Sequence, residues 1–90
     1  MYKLIETKSY RKKVVKFLKK HSNLLKKYEK TIFLLSNNPY HPSLRLHKLQ
    51  GNLREYYSVS IDMEYRIILD FIVIDNEIFL IDIGSHSEVY

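Results

Sequence analysis

Four histidines, one isolated arginine and a final tyrosine are the residues through which this chain could do chemistry. A histidine titrates near neutral pH and can give or take a proton there. His21 ends a lysine-rich helical stretch, where a cation suits the helix dipole, and reads as structural or solvent-exposed. His41 sits between Tyr40 and Pro42 and reads as a loop residue. His47 and His86 are the better candidates. His47 falls on the polar side of an alternating segment, opposite Leu44 and Leu46. His86 follows Gly84-Ser85 directly after an apolar strand, where a sheet edge presents side chains. Arg66 is the only basic residue between Glu55 and Glu88. An arginine on a central strand must face a carboxylate, a ligand or open solvent. Two readings stay open: an ion pair with Asp70 on the same strand face, or bidentate recognition of a phosphate. Tyr90 reads either as an apolar anchor or as an aromatic packed back on the sheet beside His86.

Other chemistries lack their residues. With no cysteine there is no disulfide framework, zinc–thiolate site or thiol nucleophile. No two histidines stand at helical i, i+4 spacing and no HxH occurs, so no metal is expected. No serine has the glycine-flanked setting of a hydrolase nucleophile. Two glycines in 90 residues leave no phosphate-cradling loop, and no cofactor is expected.

The elements that hold these residues must fit into one domain, residues 1–90, near the lower limit of what folds without staples. Apolar packing has to suffice, and a 46% hydrophobic content allows it. No segment approaches the roughly 18 to 20 apolar residues of a membrane span. The stretch Lys8 to Lys20 is too charged for a signal-peptide core, so a cytoplasmic protein is expected. The net charge of +5 conceals an asymmetry. Residues 1–50 carry 13 Lys and Arg against Glu6 and Glu29, a net of +11. Residues 51–90 carry Arg54 and Arg66 against eight acidic residues, a net of −6. A basic half suits a polyanion such as nucleic acid, or an acidic protein. A solvated lysine surface on two helices is the plainer reading.

Residues 2–7 read as a short strand. Ser9 is a good N-cap for a helix from Tyr10 to His21, with Tyr10, Val14, Phe17 and Leu18 on one face. Ser22 caps a second helix over 23–36, with Leu24, Leu25, Tyr28, Ile32 and Leu35 as its buried stripe. The short connection predicts a helix hairpin. Pro39 and Pro42 end it. The period then becomes two. Leu44, Leu46 and Lys48 alternate with Arg45 and His47, and Gly51-Asn52 is a turn signal. A half-buried strand follows over 53–61, then an apolar central strand over 65–74. A turn at Asp75-Asn76 leads to a last strand over 77–83, which Gly84-Ser85 breaks. The order is β-α-α-β-β-β: an α+β fold with the helix hairpin on one face of a mainly antiparallel, four-stranded sheet. Even-numbered polar residues of the strands line the other face.

The segments His47-Lys48-Leu49-x-Gly51-x-Leu53, Tyr57-Ser58-Val59-Ser60, Tyr65-Arg66-Ile67-Ile68 and Gly84-Ser85-His86-Ser87-Glu88-Val89-Tyr90 together resemble the RelE/ParE toxin superfamily. Within it the chain is most similar to YafQ/RelE-type mRNA interferases of type II toxin–antitoxin systems, over essentially its whole length. The resemblance implies a ribosome-dependent endoribonuclease without a metal. In that chemistry the ribose 2′-OH attacks the adjacent phosphate and leaves a 2′,3′-cyclic phosphate. The same resemblance implies roles for residues. His47 and His86 become the acid and base, Arg66 the phosphate contact, Tyr90 the aromatic that positions substrate, and Glu64 a supporting acidic residue. Lys48, Arg45, Ser60 and Arg54 become RNA contacts. Ser60 departs from the pattern, because YafQ has histidine and RelE lysine there, and a serine is no base near pH 7. The implied partners are a short acidic antitoxin, ribosomal RNA and mRNA. ParE-type members share the fold, lack this histidine set and inhibit DNA gyrase, which is the alternative activity.

Overall fold

The computed structural model describes residues 1–51, 55–72 and 75–89. In chain order the elements are β1 (Lys3–Glu6), α1 (Lys8–Lys20), a 3-10 turn (Ser22–Leu24) and α2 (Leu25–Asn37). A second 3-10 turn (Pro42–Leu44), β2 (His47–Lys48), β3 (Tyr57–Ser60), β4 (Tyr65–Ile72), β5 (Glu77–Ser85) and α3 (His86–Val89) complete them. The sheet runs β1-β5-β4-β3-β2. All pairings are antiparallel except β1 with β5, where the first strand lies parallel to the last. The expected α+β architecture is present, with five strands where four were expected. The addition is β2, two residues long, on the outer edge of β3.

Helix α1 forms where the stripe lies. Tyr10, Val14 and Phe17 are buried and Leu18 is partly buried, while lysines cover the outer face. Each such side chain stabilises the fold by about 1.5–3 kcal/mol through burial. The helix starts earlier than Ser9 suggests, because Thr7 is the cap. Its hydroxyl accepts from the Tyr10 N–H at 3.3 Å and donates to the Leu80 carbonyl at 2.8 Å. One side chain thereby ends β1, starts α1 and ties both to β5. On α2 the buried residues are Tyr28, Thr31 and Leu35, with Leu24 buried in the preceding turn. Leu25, expected inside, is 46% exposed, because the 3-10 turn over Ser22–Leu24 moves the start of the α-helix two residues along, from 23 to 25. The Tyr10 and Tyr28 hydroxyls join the two helices at 2.7 Å.

Leu44 lies in the second 3-10 turn rather than in a strand. His41 caps that turn, its Nδ1 accepting from the Ser43 N–H at 3.2 Å, and Arg45 ends it in the left-handed region at φ 50. Only His47 and Lys48 of the alternating segment pair as strand. Beyond them, Asn52, Leu53 and Arg54 lie outside the described residues, as do Val73, Ile74 and Tyr90.

The sheet's two faces differ. Val59, Ile67, Leu69, Ile78, Leu80 and Ile83 meet the helices in the main core. The opposite face holds a smaller cluster of Leu49, Ile68 and Val89, flanked by Tyr56 and Ile81. Val89 belongs to α3, so the chain's last helix folds back over the face that the helix hairpin leaves open. Gly84 permits this. A Cβ at that position would sit 3.1 Å from Val89 Cγ1 and 3.3 Å from Glu88 Cβ. Gly84 and Ser85 therefore do not break β5. The strand runs through both, and the glycine clears the space that α3 occupies.

Candidate functional site

The site is assembled from the strand register. His47 pairs with Ser58, Ser58 with Ile68, and Ser60 with Arg66, which in turn pairs with Gly84. Directly opposed residues of antiparallel strands point to one side, and residues two apart share a face. His47, Ser58, Ser60 and Arg66 therefore stand on the face opposite the helix hairpin. Ladder spacings place His47 and Arg66 about 12 Å apart at Cα, with the two serines between them. His86 opens α3 two residues beyond Gly84. Its N–H donates to the Glu64 carbonyl at 3.1 Å, which brings Glu64 and His86 together at the same end of the sheet. The side chains of His47, Lys48, Arg45, Glu64 and His86 are exposed. The structure thus gathers His47, Arg66, His86, Glu64 and Ser60 on or beside one face, with Arg45 and Lys48 at its β2 edge. Arg54 and Tyr90 lie outside the described residues.

Arg66 does not pair with Asp70. Four residues along a strand separate their Cα atoms by about 13 Å, beyond ion-pair reach. Instead Arg66 Nη1 donates to the hydroxyl of its cross-strand partner Ser60 at 2.8 Å. Among the described residues the ion pairs are Arg11–Glu6 and Lys13–Asp82, and Arg66 belongs to neither. Its Nε is buried with no hydrogen-bond partner among the described residues. A buried donor left unmatched costs about 1–3 kcal/mol, and an anionic acceptor is what a guanidinium in this state lacks. Ser60, which cannot serve as a base, acts here as the acceptor that orients the guanidinium.

His47 Nδ1 lies 3.1 Å from the Arg45 carbonyl, which can only accept. When the ring is neutral its hydrogen is therefore on Nδ1, and Nε2 carries the basic lone pair. The left-handed backbone of Arg45 aims that carbonyl back at its neighbour two residues on. His21 has a different role: it stacks between Phe17 and Tyr65 at 4.7 and 4.6 Å and joins the end of α1 to β4. Among the described residues no three His, Asp or Glu side chains gather as metal ligands would. No helix among them is long and apolar enough to cross a membrane.

The last segment has a local logic that its residue types alone do not display. Ser85 and Glu88 form a capping box: the Ser85 N–H donates to Glu88 Oε1 at 2.8 Å, and the Glu88 N–H to Ser85 Oγ at 3.3 Å. The bond from the Ser85 amide is the main cause that holds the Glu88 carboxyl below its ordinary range, aided by the Ser85 hydroxyl, Lys20 and His21. The signal was present as S-x-x-E. A groove of about 360 Å³ beside α3, lined by Lys13, Lys16, Lys20 and His21 with Asp82 and Glu88, also escaped a reading by single residues. A second groove of about 340 Å³ lies between α2 and the β3–β4 turn, with Lys27, Lys30 and Arg45 among its lining. His47, Arg66 and His86 line neither groove. His47 and Arg66 stand on the sheet face opposite the hairpin, and His86 borders it on α3.

No curated protein matches the sequence. Solved structures do. A copper-bound mutant toxin from Helicobacter pylori is 28% identical, with a TM-score of 0.75 and full coverage of both chains. YafQ from E. coli strain BL21(DE3) is 18% identical, with a TM-score of 0.80 over 100% of this chain and 99% of that one. The E. coli DinJ-YafQ complex gives the same identity, score and coverage. The YoeB-YefM complex from Staphylococcus aureus is 21% identical, with a TM-score of 0.73 over 96% of this chain and 98% of that one. Residues 2–90 match the family model of the YafQ bacterial toxin of type II toxin–antitoxin systems, and the chain belongs to that family.

Proposed function

We propose that this toxin is an endoribonuclease that cleaves mRNA on the ribosome, using His47, Arg66 and His86. The observation that carries the reading is Arg66, a guanidinium with a buried, unmatched Nε, on the sheet face that also bears His47 and borders His86. Strand scission by the 2′-OH needs three things: a base for the hydroxyl proton, an acid for the leaving 5′-oxygen, and positive charge on the phosphorane-like transition state. His47 supplies the base. With its Nδ1 hydrogen on the Arg45 carbonyl, Nε2 takes the 2′-OH proton as the 2′-oxygen bonds to phosphorus. His86 supplies the acid, protonating the 5′-oxygen as the P–O5′ bond breaks. The products are a 2′,3′-cyclic phosphate and a 5′-hydroxyl. Arg66, oriented by Ser60, meets the non-bridging oxygens. Glu64 supports His86 from the adjacent turn, and Tyr90 positions a base.

Arg45, Lys48 and Arg54 take backbone contacts on the mRNA. The exposed lysines of α1 and the groove of Lys13, Lys16 and Lys20 supply charge for ribosomal RNA. An acidic antitoxin is the protein partner. The DinJ-YafQ and YoeB-YefM complexes support that pairing, as does the net +11 of residues 1–50.

Cleavage of mRNA on programmed ribosomes, with wild type and His86→Ala in parallel, tests the reading. Wild type should produce 2′,3′-cyclic ends and His86→Ala should not. A His86→Ala toxin as active as wild type removes the catalytic assignment. Intact mRNA with accumulating DNA breaks would favour the gyrase alternative.

A further inference from the structure

We propose that Glu88 is the positioning residue for His86, acting through its reciprocal hydrogen bonds with Ser85. The inference rests on the role given to His86 above. Helix α3 has four residues, too few to hold its own backbone ladder. What places the His86 ring must therefore come from more than the helix's own ladder, and among the described residues three fastenings hold its turn. Glu88 and Ser85 exchange hydrogen bonds around His86 at 2.8 and 3.3 Å, closing the turn in which the histidine sits. The His86 N–H is held by the Glu64 carbonyl at 3.1 Å. Asp62 Oδ1 fixes that turn in its own right, accepting from the Glu64 and Tyr65 N–H groups at 2.9 and 2.8 Å. Val89 anchors the far end against Leu49 and Ile68.

Of the three, the Glu88 box is the one that closes the turn carrying the ring. The Glu64 bond holds one backbone atom, and Val89 holds the helix at its last residue. Lys20 at the end of α1 and His21 just after it also face the Glu88 carboxylate, so a charge role competes with a hydrogen-bonding one. Glutamine separates the two, because it completes the same box without charge.

The test is steady-state cleavage on programmed ribosomes by Glu88→Ala and Glu88→Gln. Misplacement by about 1 Å costs on the order of 100-fold in rate. Glu88→Ala should lower kcat about 10- to 100-fold with an unchanged KM for the ribosome, and Glu88→Gln should keep most of the wild-type kcat. Wild-type kcat in Glu88→Ala overturns the proposal, and so does equal loss in both variants. Amide exchange gives a readout independent of cleavage. The Ser85 and Glu88 amides should be protected in wild type and Glu88→Gln and exchange fast in Glu88→Ala. Wild-type protection in Glu88→Ala also overturns the proposal, even if His86 proves dispensable for cleavage. A dispensable His86 with the expected exchange pattern leaves the box standing and removes the ribonuclease role of the histidine.

Discussion

Replacing Gly84 by alanine sets two effects against each other. The new Cβ would lie 3.1 Å from Val89 Cγ1 and 3.3 Å from both Glu88 Cβ and Glu88 Oε1. Relaxed carbon–carbon contacts lie at about 3.5–4.0 Å, so α3 must yield by about half an ångström. Overpacking of this kind costs about 1–3 kcal/mol, and α3 is short enough to move, which favours the lower end. Against it, Gly84 does not occupy the left-handed region, unlike Gly51 at φ 71. Alanine in a strand therefore regains about 0.5–1 kcal/mol by restricting the unfolded chain. The net loss is on the order of 1 kcal/mol or less, at most about 4–8 °C in Tm for a chain of this size. Activity should fall much further than stability, about tenfold, because the displaced helix carries His86 away from Arg66. Thermal unfolding and mRNA cleavage on the same preparation measure both. Wild-type cleavage with unshifted α3 amide resonances would refute the close-approach account of Gly84. A collapse in Tm with proportionate loss of cleavage would refute the separation of stability from placement.

Ser60→Ala removes the acceptor of Arg66 Nη1 and should lower kcat about tenfold while costing about 1 kcal/mol of stability. A double-mutant cycle with Arg66→Lys should show that the two residues act as one unit. Tyr10→Phe should cost about 1–3 kcal/mol by stranding the Tyr28 hydroxyl, and the Tyr10→Phe/Tyr28→Phe pair should be milder than the single change, as chemical denaturation will show. Thr7→Ala should cost about 1–2 kcal/mol in the same assay, since it loses both the helix cap and the bond to Leu80. Two pH effects have opposite signs. Burial and then Tyr28 hold the Tyr10 phenol above its ordinary value, so its stabilising contribution is complete below pH 10 and is lost as pH rises beyond it. The Glu88 carboxyl is held low, so its contribution is complete above pH 4.5 and is lost as pH falls, which α3 amide shifts in an acid titration should follow.

The helix stripes were legible because a 3.6 period is written locally in Tyr10, Val14 and Phe17. The choice of cap was not. Thr7 and Ser9 are equally good by type, and the Leu80 carbonyl that selects Thr7 lies 73 residues away. Leu44 and Leu46 imitate a strand through their spacing, while Pro42 and the left-handed Arg45 impose a turn. The candidate residues stood out by type: an arginine in an acidic run and histidines beside apolar strands. Their relations were not visible, since the partner of Arg66 depends on a register that brings Ser60 opposite it. The S-x-x-E of Ser85 and Glu88 was open to reading, but four residues at the end of a strand carry no helical period to draw attention to it.

The first strand of this sheet is paired with the last. Lys3 to Glu6 pair with β5, and the Lys3 N–H also donates to the Asn76 carbonyl in the turn before it; β5 also completes β4 and carries the chain into His86. During synthesis the helix hairpin and the β3–β4 pair can form as they emerge, being local in sequence. The β1 pairing, the wall beside Arg66 and the placement of His86 all wait for residues 77–89. A partly synthesised chain therefore has its basic helices before it has the β1–β5 pairing and the turn that places His86. The order of the strands ties completion of the sheet to the arrival of residues 77–85.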